Sequence, residues 1–269
     1  MKWEPFHHPD LSLPVVQRRT RDELLTLLSG TAAMVLSQGA SEIYGHCYPN
    51  RRAYDASLNR LRKNGLLAIS KKDGSLPTLQ LTTEGNAMIP DYCNPNRFWQ
   101  TRWNKWWYVL KFDVPETNRS YRDTLRQFLK KRSFGCLQRS VWVTPRDVRP
   151  EYDDLDRGAS VDSVAFLFEA RTVLGHGNQS VVREAWNFTL LETIQDCYIQ
   201  NVGENLTKLE SSSPSRIELI QLLRMDNLAY AQAMSLDPLL PEELHPSNYL
   251  GMKAYKQHEK LTAGIMEFL

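Results

Sequence analysis

A helical repeat near residue 55 constrains the fold of this chain more than any other feature. Tyr54, Leu58 and Leu61 recur at the spacing that places apolar side chains on one buried helical face. Asn50 is a suitable N-cap, and Gly65 supplies the left-handed residue that commonly ends a helix. The pattern therefore predicts a helix with one apolar face and well-marked ends.

Two short runs after this helix predict a hairpin. Residues 66–70 and 78–82 have the composition of strands, and Lys71-Lys72-Asp73-Gly74 forms a basic turn between them. A capped helix, a second, basic helix, a hairpin and then Leu81-Thr82-Thr83-Glu84-Gly85 resemble the winged helix-turn-helix of bacterial transcription regulators. In that fold the last run typically closes the wing.

The helix face opposite the apolar residues is polar and cationic. Arg52 and Asn59 carry donors and acceptors that match base edges in the major groove of DNA. Phosphate contacts depend more on charge than on geometry, and they suit Arg60, Lys63, Lys71 and Lys72. The alternative interpretation is an ordinary solvated helix and hairpin.

The distribution of charge supports a polyanionic partner for the first half of the chain. The formal net charge is only +2, yet residues 18–72 hold ten lysines and arginines against four acids. Residues 96–142 hold eleven against three, whereas residues 143–269 hold eleven against nineteen. Such a division predicts nucleic-acid binding in the first half and another role in the second.

Cellular location and cofactors follow from composition. The sequence has no apolar run near the length of a membrane span, and we expect a cytoplasmic protein. Four scattered cysteines predict neither a zinc site nor a disulfide framework, and no cofactor is expected. We expect residues 1–17 to form a loose N-terminal arm, which includes His7 and His8.

The middle of the chain predicts a ferredoxin-like unit in an α+β fold. Alternation around residues 106–113 indicates a strand with one strongly aromatic face, and a helix starting at Thr117 or Asn118 follows. Further strands are predicted at residues 136–143 and 164–168, which gives the order strand, helix, strand, strand. That helix carries an outward stripe of Arg119, Arg122, Arg126 and Lys130, interpreted as a solvated face or as additional phosphate contacts.

The last third predicts helices only. Breaks at Ser211-Ser212-Ser213-Pro214 and Asp237-Pro238-Leu239-Leu240-Pro241 separate periodic apolar segments. The predicted organisation is an arm at 1–17, a winged helix-turn-helix domain at 18–90, a linker at 91–95, a ferredoxin-like domain at 96–180 and a helical domain at 181–269.

Four stretches together resemble the PaaX family of phenylacetic-acid-degradation transcriptional repressors. They are the winged-helix run, the strand Trp106-Trp107-Tyr108-Val109-Leu110-Lys111-Phe112-Asp113-Val114-Pro115-Glu116, the strand Leu137-Gln138-Arg139-Ser140-Val141-Trp142-Val143, and the Asp237–Pro241 turn before Gly251-Met252-Lys253-Ala254. The resemblance implies a homodimer whose winged helix binds an operator in double-stranded DNA and is released by an acyl-CoA effector. It places the recognition helix at Arg51, Arg52, Asn59, Arg60 and Lys63, and the wing at Lys71 and Lys72.

The middle unit is also similar to the small CRISPR-associated spacer-acquisition protein, which has metal-dependent nuclease members. Asp113 ends the first strand here, as an aspartate does in that family. One aspartate per chain holds a metal only by pairing across a dimer axis or with water and substrate phosphates. The alternative role of Asp113 is to stabilise a turn, and we expect a protein that is not an enzyme. A nucleic-acid-binding or scaffold protein without an effector is a third possibility.

Two other features each have a functional and a structural interpretation. Trp99, Trp103, Trp106 and Trp107 form either a platform for a planar ligand or part of a core. The Gly175-His176-Gly177-Asn178 loop is interpreted as a turn rather than a phosphate-binding loop.

Overall fold

The computed structural model describes residues 2–9, 51–70, 78–149, 165–172 and 175–268. The chain divides into two compact units. The first consists of Met1–Asn94, Ile194–Ser235 and Met252–Leu269, and the second consists of Pro95–Thr193 and Leu236–Gly251. None of the helices within the described ranges has the length and hydrophobicity needed to cross a membrane.

The first unit contains the predicted helix and hairpin. Helix α1 (Arg51–Lys63) is followed by the antiparallel strands β1 (Leu67–Ser70) and β2 (Thr78–Leu81) and by the short helix α2 (Thr83–Ala87). Gly65 has a φ of 70°, and its amide donates to the carbonyl of Arg62 at 2.9 Å while that of Leu66 donates to Leu61 at 2.9 Å. This pair of bonds satisfies carbonyls at the end of α1, and the prediction that Gly65 supplies the left-handed residue after the helix is confirmed.

The run after β2 attaches the hairpin to the end of α1. The Thr82 hydroxyl donates to the carbonyl of Gly65 at 2.6 Å and accepts from the amide of Gly85 at 3.0 Å. A Cβ added to Gly85 would lie 2.1 Å from the carbonyl oxygen of Leu66. Only glycine allows the two backbone segments to approach this closely.

The remaining parts of the predicted winged helix-turn-helix lie outside the described residues. These parts are the helix near residues 20–28, the segment near residues 41–46, the N-cap Asn50 and the turn at Lys71–Gly74. The structure therefore contains the helix, both strands and the closing run, and the complete winged helix-turn-helix stays a prediction.

Three long helices form the rest of the first unit's core. They are α6 (Phe188–Glu210), whose residues from Ile194 belong to this unit, α7 (Arg216–Met234) and α8 (Gly251–Phe268). The buried carboxylate of Asp226 on α7 accepts from the Tyr198 hydroxyl at 2.8 Å and is hydrogen bonded to Nδ1 of His258 at 2.7 Å. Burial and then the charge of Asp226 raise the pKa of Tyr198. One buried polar group thus connects all three helices.

The beginning of the chain packs against these helices. Trp3 is 4% exposed, and its indole N–H donates to the carbonyl of Glu218 at 2.8 Å. The amide of Glu4 donates to the side-chain oxygen of Asn205 at 2.9 Å, and its carboxylate pairs with Lys208. The expectation of a loose arm is therefore wrong for residues 2–9, because a buried tryptophan and these polar contacts hold the segment in place.

The second unit is built on a four-stranded antiparallel sheet. Its elements are α3 (Asn96–Trp99), β3 (Trp107–Phe112), α4 (Arg119–Lys131), β4 (Gly135–Gln138), β5 (Val141–Thr144), β6 (Ala165–Ala170) and α5 (Asn178–Ala185). The strand order β4-β5-β3-β6 agrees with the predicted ferredoxin-like unit. The single strand predicted at residues 136–143 is wrong, since the chain turns at Arg139 and Ser140 and forms the hairpin β4-β5 instead.

Strand β3 is buried on both faces, although its sequence indicates one aromatic face. Tyr108, Leu110 and Phe112 pack in a cluster with the apolar side of α4. Trp107, which is fully buried, belongs to a second cluster on the other face with residues of α5. The first residues of β3 are therefore covered on both faces of the sheet, whereas Lys111 near the end of the strand is exposed.

The turn at Asp237 is fixed by polar contacts within the second unit. The carboxylate of Asp237 accepts from the amide of Leu239 at 2.8 Å and from the hydroxyl of Tyr249 at 2.8 Å. Leu239 has a φ of 50°, a conformation that side-chain-bearing residues rarely adopt. These contacts confirm the rigid turn that the sequence predicts.

Two helical glycines give a matched test of the close approach at Gly85. We expect Gly85→Ala to lower the free energy of unfolding by about 1–3 kcal/mol, because the added methyl group meets backbone. Gly203 in α6 has nothing within 4 Å of an added Cβ, so Gly203→Ala is expected to stabilise by about 0.5–1 kcal/mol. Urea denaturation of both variants measures the difference. Equal effects of the two substitutions would contradict the packing described.

Candidate nucleic-acid interface

The polar face of α1 is open to solvent. The side chains of Arg52, Asn59, Arg60 and Lys63 are exposed, whereas Leu61 on the opposite side is 1% exposed. Buried Leu61 thus anchors the helix, and the predicted contact residues are available to a partner. Of the other predicted residues, Arg51 is the first residue of α1, and Lys71 and Lys72 lie outside the described residues.

The C-terminal turn of α1 is the most basic part of this surface. Arg60, Arg62 and Lys63 occupy that turn, where cations interact favourably with the helix dipole. A groove of about 510 Å³ lies beside it, lined by Asn59, Arg62, Lys63, Leu67 and Ala68. Arg62 is not among the contact residues predicted from the sequence, although its position three residues after Asn59 places it beside that face.

The arrangement combines the two kinds of contact that DNA recognition requires. Arginine and asparagine form bidentate hydrogen bonds with guanine and adenine edges, and lysine neutralises phosphates. Arg52, Asn59 and Lys63 share one helix face through a spacing of seven and four residues. A helix with this face is narrow enough to enter the major groove.

A second basic surface lies in the second unit. A groove of about 630 Å³ runs along α4 and contains the predicted stripe of Arg119, Arg122, Arg126 and Lys130. Arg122 and Arg126 are only half exposed, so the stripe is not the fully outward face that the sequence predicts. Arg139, in the turn between β4 and β5, adds a fifth cation that was not predicted as a site residue from the sequence.

Asp113 lies in this same groove and is exposed. It is the only carboxylate among the residues that line the groove. Within the described ranges, no three His, Cys, Asp or Glu side chains are grouped in a way that could hold a metal ion. Because divalent metals prefer several oxygen ligands, the nuclease alternative still requires a second aspartate from a partner chain, or water and substrate phosphates, beside Asp113.

The other two candidate features have structural roles. Trp99, Trp103 and Trp107 are buried, which agrees with the core interpretation, and half-exposed Trp106 stacks under the guanidinium of Arg171 at 4.5 Å. The loop before α5 turns at Gly175, whose φ is 81°, and Gly177 is the N-cap of the helix. Both features agree with their structural interpretations.

The titration of Cys136 reflects the balance of burial and charge in the basic groove. Burial raises the pKa of its thiol, while the positive charges of Arg126 and Lys130 oppose that shift. The thiol also donates to the carbonyl of Gln138 at 3.1 Å. Burial therefore outweighs two nearby cations, and the thiol stays protonated at neutral pH.

Comparisons with known proteins show similarity to PaaX proteins. Residues 100–182 match the model of the PaaX protein central Cas2-like domain. Over 211 residues the chain is 26% identical to the transcriptional repressor PaaX of Escherichia coli (strain K12). The aligned region covers 74% of this chain and 64% of that protein. The chain thus spans less than two thirds of the length of this curated relative. The family model and the curated relative together support the resemblance to the PaaX family that the sequence motifs indicate.

A solved structure shares the fold. The uncharacterized protein Rv0674 from Mycobacterium tuberculosis has a TM-score of 0.57 and 17% sequence identity, over 91% of this chain and 94% of its own. This similarity confirms a mixed α+β architecture and carries no information about function.

Alkylation tests the environment of Cys136. Because its pKa is raised, we expect iodoacetamide to modify Cys136 more slowly than a free thiol at pH 7.5, with a rate that continues to increase above pH 9. Mass spectrometry of the peptide that contains Cys136 gives the rate, and free N-acetylcysteine serves as the reference. Modification faster than that of the reference at pH 7.5 would mean that the cations of the groove dominate.

Proposed function

We propose that this chain, a relative of the PaaX family, is a transcriptional regulator that binds a specific DNA operator as a homodimer. The observation that carries the proposal is the solvent-exposed face of α1, with Arg52, Asn59 and Lys63 on one side of a helix seated by Leu61. The similarity to the transcriptional repressor PaaX supports regulation of transcription as the outcome of binding.

Helix α1 recognises the DNA sequence, and the basic residues around it fix the position of the protein on the DNA. Arg52 and Asn59 contact base edges in the major groove, while Arg60 and Lys63, with Lys71 and Lys72 of the predicted wing, contact phosphates. The hairpin is held to the end of α1 through Thr82 and Gly85, so both elements approach the DNA together. A rigid connection of this kind reduces the entropy lost on binding.

Two copies of α1 in a symmetric dimer require an operator with the same symmetry. A dimer with a two-fold axis binds two half-sites whose centres are about 10 base pairs apart or a multiple of that distance. The operator of this protein is therefore proposed to be a palindrome. Repression follows if the bound dimer overlaps a promoter.

An acyl-CoA-like effector completes the proposed cycle, as the family resemblance implies. Binding of the effector favours a form of the dimer with lower affinity for the operator. If the effector lowers the affinity for the operator by a given factor, the operator must lower the affinity for the effector by the same factor.

Substitutions on α1 distinguish sequence reading from general attraction to DNA. We expect Arg52→Ala or Asn59→Ala to cost about 1–3 kcal/mol on the operator and less on random DNA, because base contacts exist only on the operator. Lys63→Ala is expected to weaken both complexes and to reduce the slope of affinity against salt by about one. Fluorescence anisotropy with labelled duplexes measures all three variants.

The matched control for these variants is Lys256→Ala. Lys256 is an exposed cation on α8 of the same unit, and its replacement removes one charge without touching α1. Equal losses for Arg52→Ala and Lys256→Ala, or equal losses on operator and random DNA, would contradict the proposal.

The effector step has its own test. We expect phenylacetyl-CoA to dissociate the protein from its operator in the anisotropy assay, whereas free phenylacetate and free coenzyme A at the same concentration do not. An unchanged operator affinity at a saturating concentration of the thioester would remove the effector from the proposal and leave DNA binding intact.

A further inference from the structure

The chain is anchored on α6 and α7 before it enters the part that contains α1. The indole N–H of Trp3 donates to the carbonyl of Glu218 on α7 at 2.8 Å, and this residue is 4% exposed. The side chain of Asn205 on α6 binds the backbone of Glu4 twice, since it accepts from the amide at 2.9 Å and donates to the carbonyl at 3.0 Å. Asn201, one turn earlier on α6, donates to the same carbonyl at 3.1 Å. A buried ring and main-chain bonds therefore hold this segment.

The chain returns to α7 after the hairpin and α2. The hydroxyl of Tyr230 on α7 donates to the carbonyl of Tyr92 at 2.8 Å, and the two rings meet edge to face with their centroids 6.1 Å apart. Tyr92 lies in the short 3-10 helix Asp91–Cys93, which follows α2. The stretch of chain that contains α1 and the hairpin is thus attached to α7 at both of its ends.

A cluster of packed rings connects the two attachments. Phe6, in the N-terminal segment, packs edge-on against Tyr198 of α6 with the ring centroids 6.1 Å apart. Tyr198 in turn contacts Tyr230, with the centroids 5.9 Å apart. The carboxylate of Asp226 binds the Tyr198 hydroxyl and His258, whose ring stacks on that of Tyr230 at 4.0 Å. Both attachments therefore belong to one buried cluster of the three helices.

Two attachments restrict α1 more than one attachment does. A stretch of chain that is fixed at one end keeps rotational freedom about that point, and fixing the other end removes much of this freedom. In a dimer, both copies of α1 must fit their half-sites at the same time. Freedom that is lost on binding lowers the affinity, so a stretch that is already held in place binds more tightly and accepts fewer geometries.

We propose that this double attachment holds α1 in one orientation, and that Trp3 and Tyr230 are positioning residues that set the half-site spacing the dimer accepts. Neither residue contacts DNA in this scheme, since both act through the placement of α1. The part of the inference that concerns half-site spacing rests on the proposed function. The part that concerns the orientation of α1 does not.

Double electron–electron resonance on the full chain measures the positioning without DNA. Nitroxide labels are carried by p-acetylphenylalanine in place of Ala56 on α1 and Lys256 on α8, two exposed positions, so the native cysteines stay intact. Dilution with unlabelled chain restricts the signal to distances within one chain. We expect one narrow distance distribution, and we expect Trp3→Ala to widen it at least about twofold because one attachment is lost.

Operators with altered half-site spacing test the consequence for DNA binding. Two added base pairs turn one half-site by about 70° around the DNA axis. We expect the unaltered protein to bind this operator at least about tenfold more weakly than the original, and Trp3→Ala to lose less than about threefold. Binding to a single half-site is expected to be equal in both proteins, because α1 itself is unchanged. Fluorescence anisotropy measures these affinities.

Three further variants separate positioning from a general loss of structure. Trp3→Phe keeps a buried ring and is expected to restore both the narrow distribution and the spacing preference. Tyr230→Phe keeps the ring and removes only the hydroxyl that holds Tyr92, and it is expected to widen the distribution. His7→Ala is the matched control, because His7 is an exposed residue of the same N-terminal segment, and it is expected to behave as the unaltered protein.

Equal distance distributions in Trp3→Ala, Tyr230→Phe and His7→Ala would overturn the positioning proposal. A wider distribution with an unchanged spacing preference would overturn the role of the two residues in setting half-site spacing. If the unaltered protein does not distinguish an operator from random DNA, the proposed function fails, and the spacing role fails with it. The label distances are measured without DNA, so they decide separately whether Trp3 and Tyr230 fix α1.

Discussion

Burial of β3 on both faces is the constraint on which the second unit depends. Trp107 packs on one side of the strand, and Tyr108, Leu110 and Phe112 pack on the other, so α4 and α5 must cover opposite faces of the sheet. Burying large aromatic side chains stabilises the fold by about 1.5–3 kcal/mol each, which exceeds the contribution of any surface ion pair. Because the apolar side of α4 is committed to this core, its arginines are placed along the edge of the groove.

The elements that could be predicted from the sequence are those defined by residues close together along the chain. The period of apolar residues and the Asn64-Gly65 ending define α1, and the run from Leu81 to Gly85 marks the contact that closes the hairpin. The exposure of Arg52, Asn59 and Lys63 follows from the same helical period, since residues opposite a buried face point to solvent. The aspartate turn at residue 237 is likewise visible from its prolines.

Features that depend on contacts distant in sequence were not predictable in this way. Trp3 is held by Glu218, which is 215 residues away, and no local pattern indicates that pairing. The hairpin at Arg139 and Ser140 reads as one continuous strand, because its turn lacks glycine and proline. The groove joins residues from β3, α4, β4 and β5, so neither its concave shape nor the contribution of Arg139 follows from the stripe on α4 alone.

The account of function depends on α1 discriminating one DNA sequence from others as part of a symmetric dimer. DNase I footprinting of the purified protein on the region upstream of its own gene tests this most directly. The account predicts one discrete protected segment that contains two inverted half-sites, with centres about 10 base pairs apart or a multiple of that distance. Uniform protection along the fragment, or no protection at concentrations that saturate nonspecific binding, would contradict it.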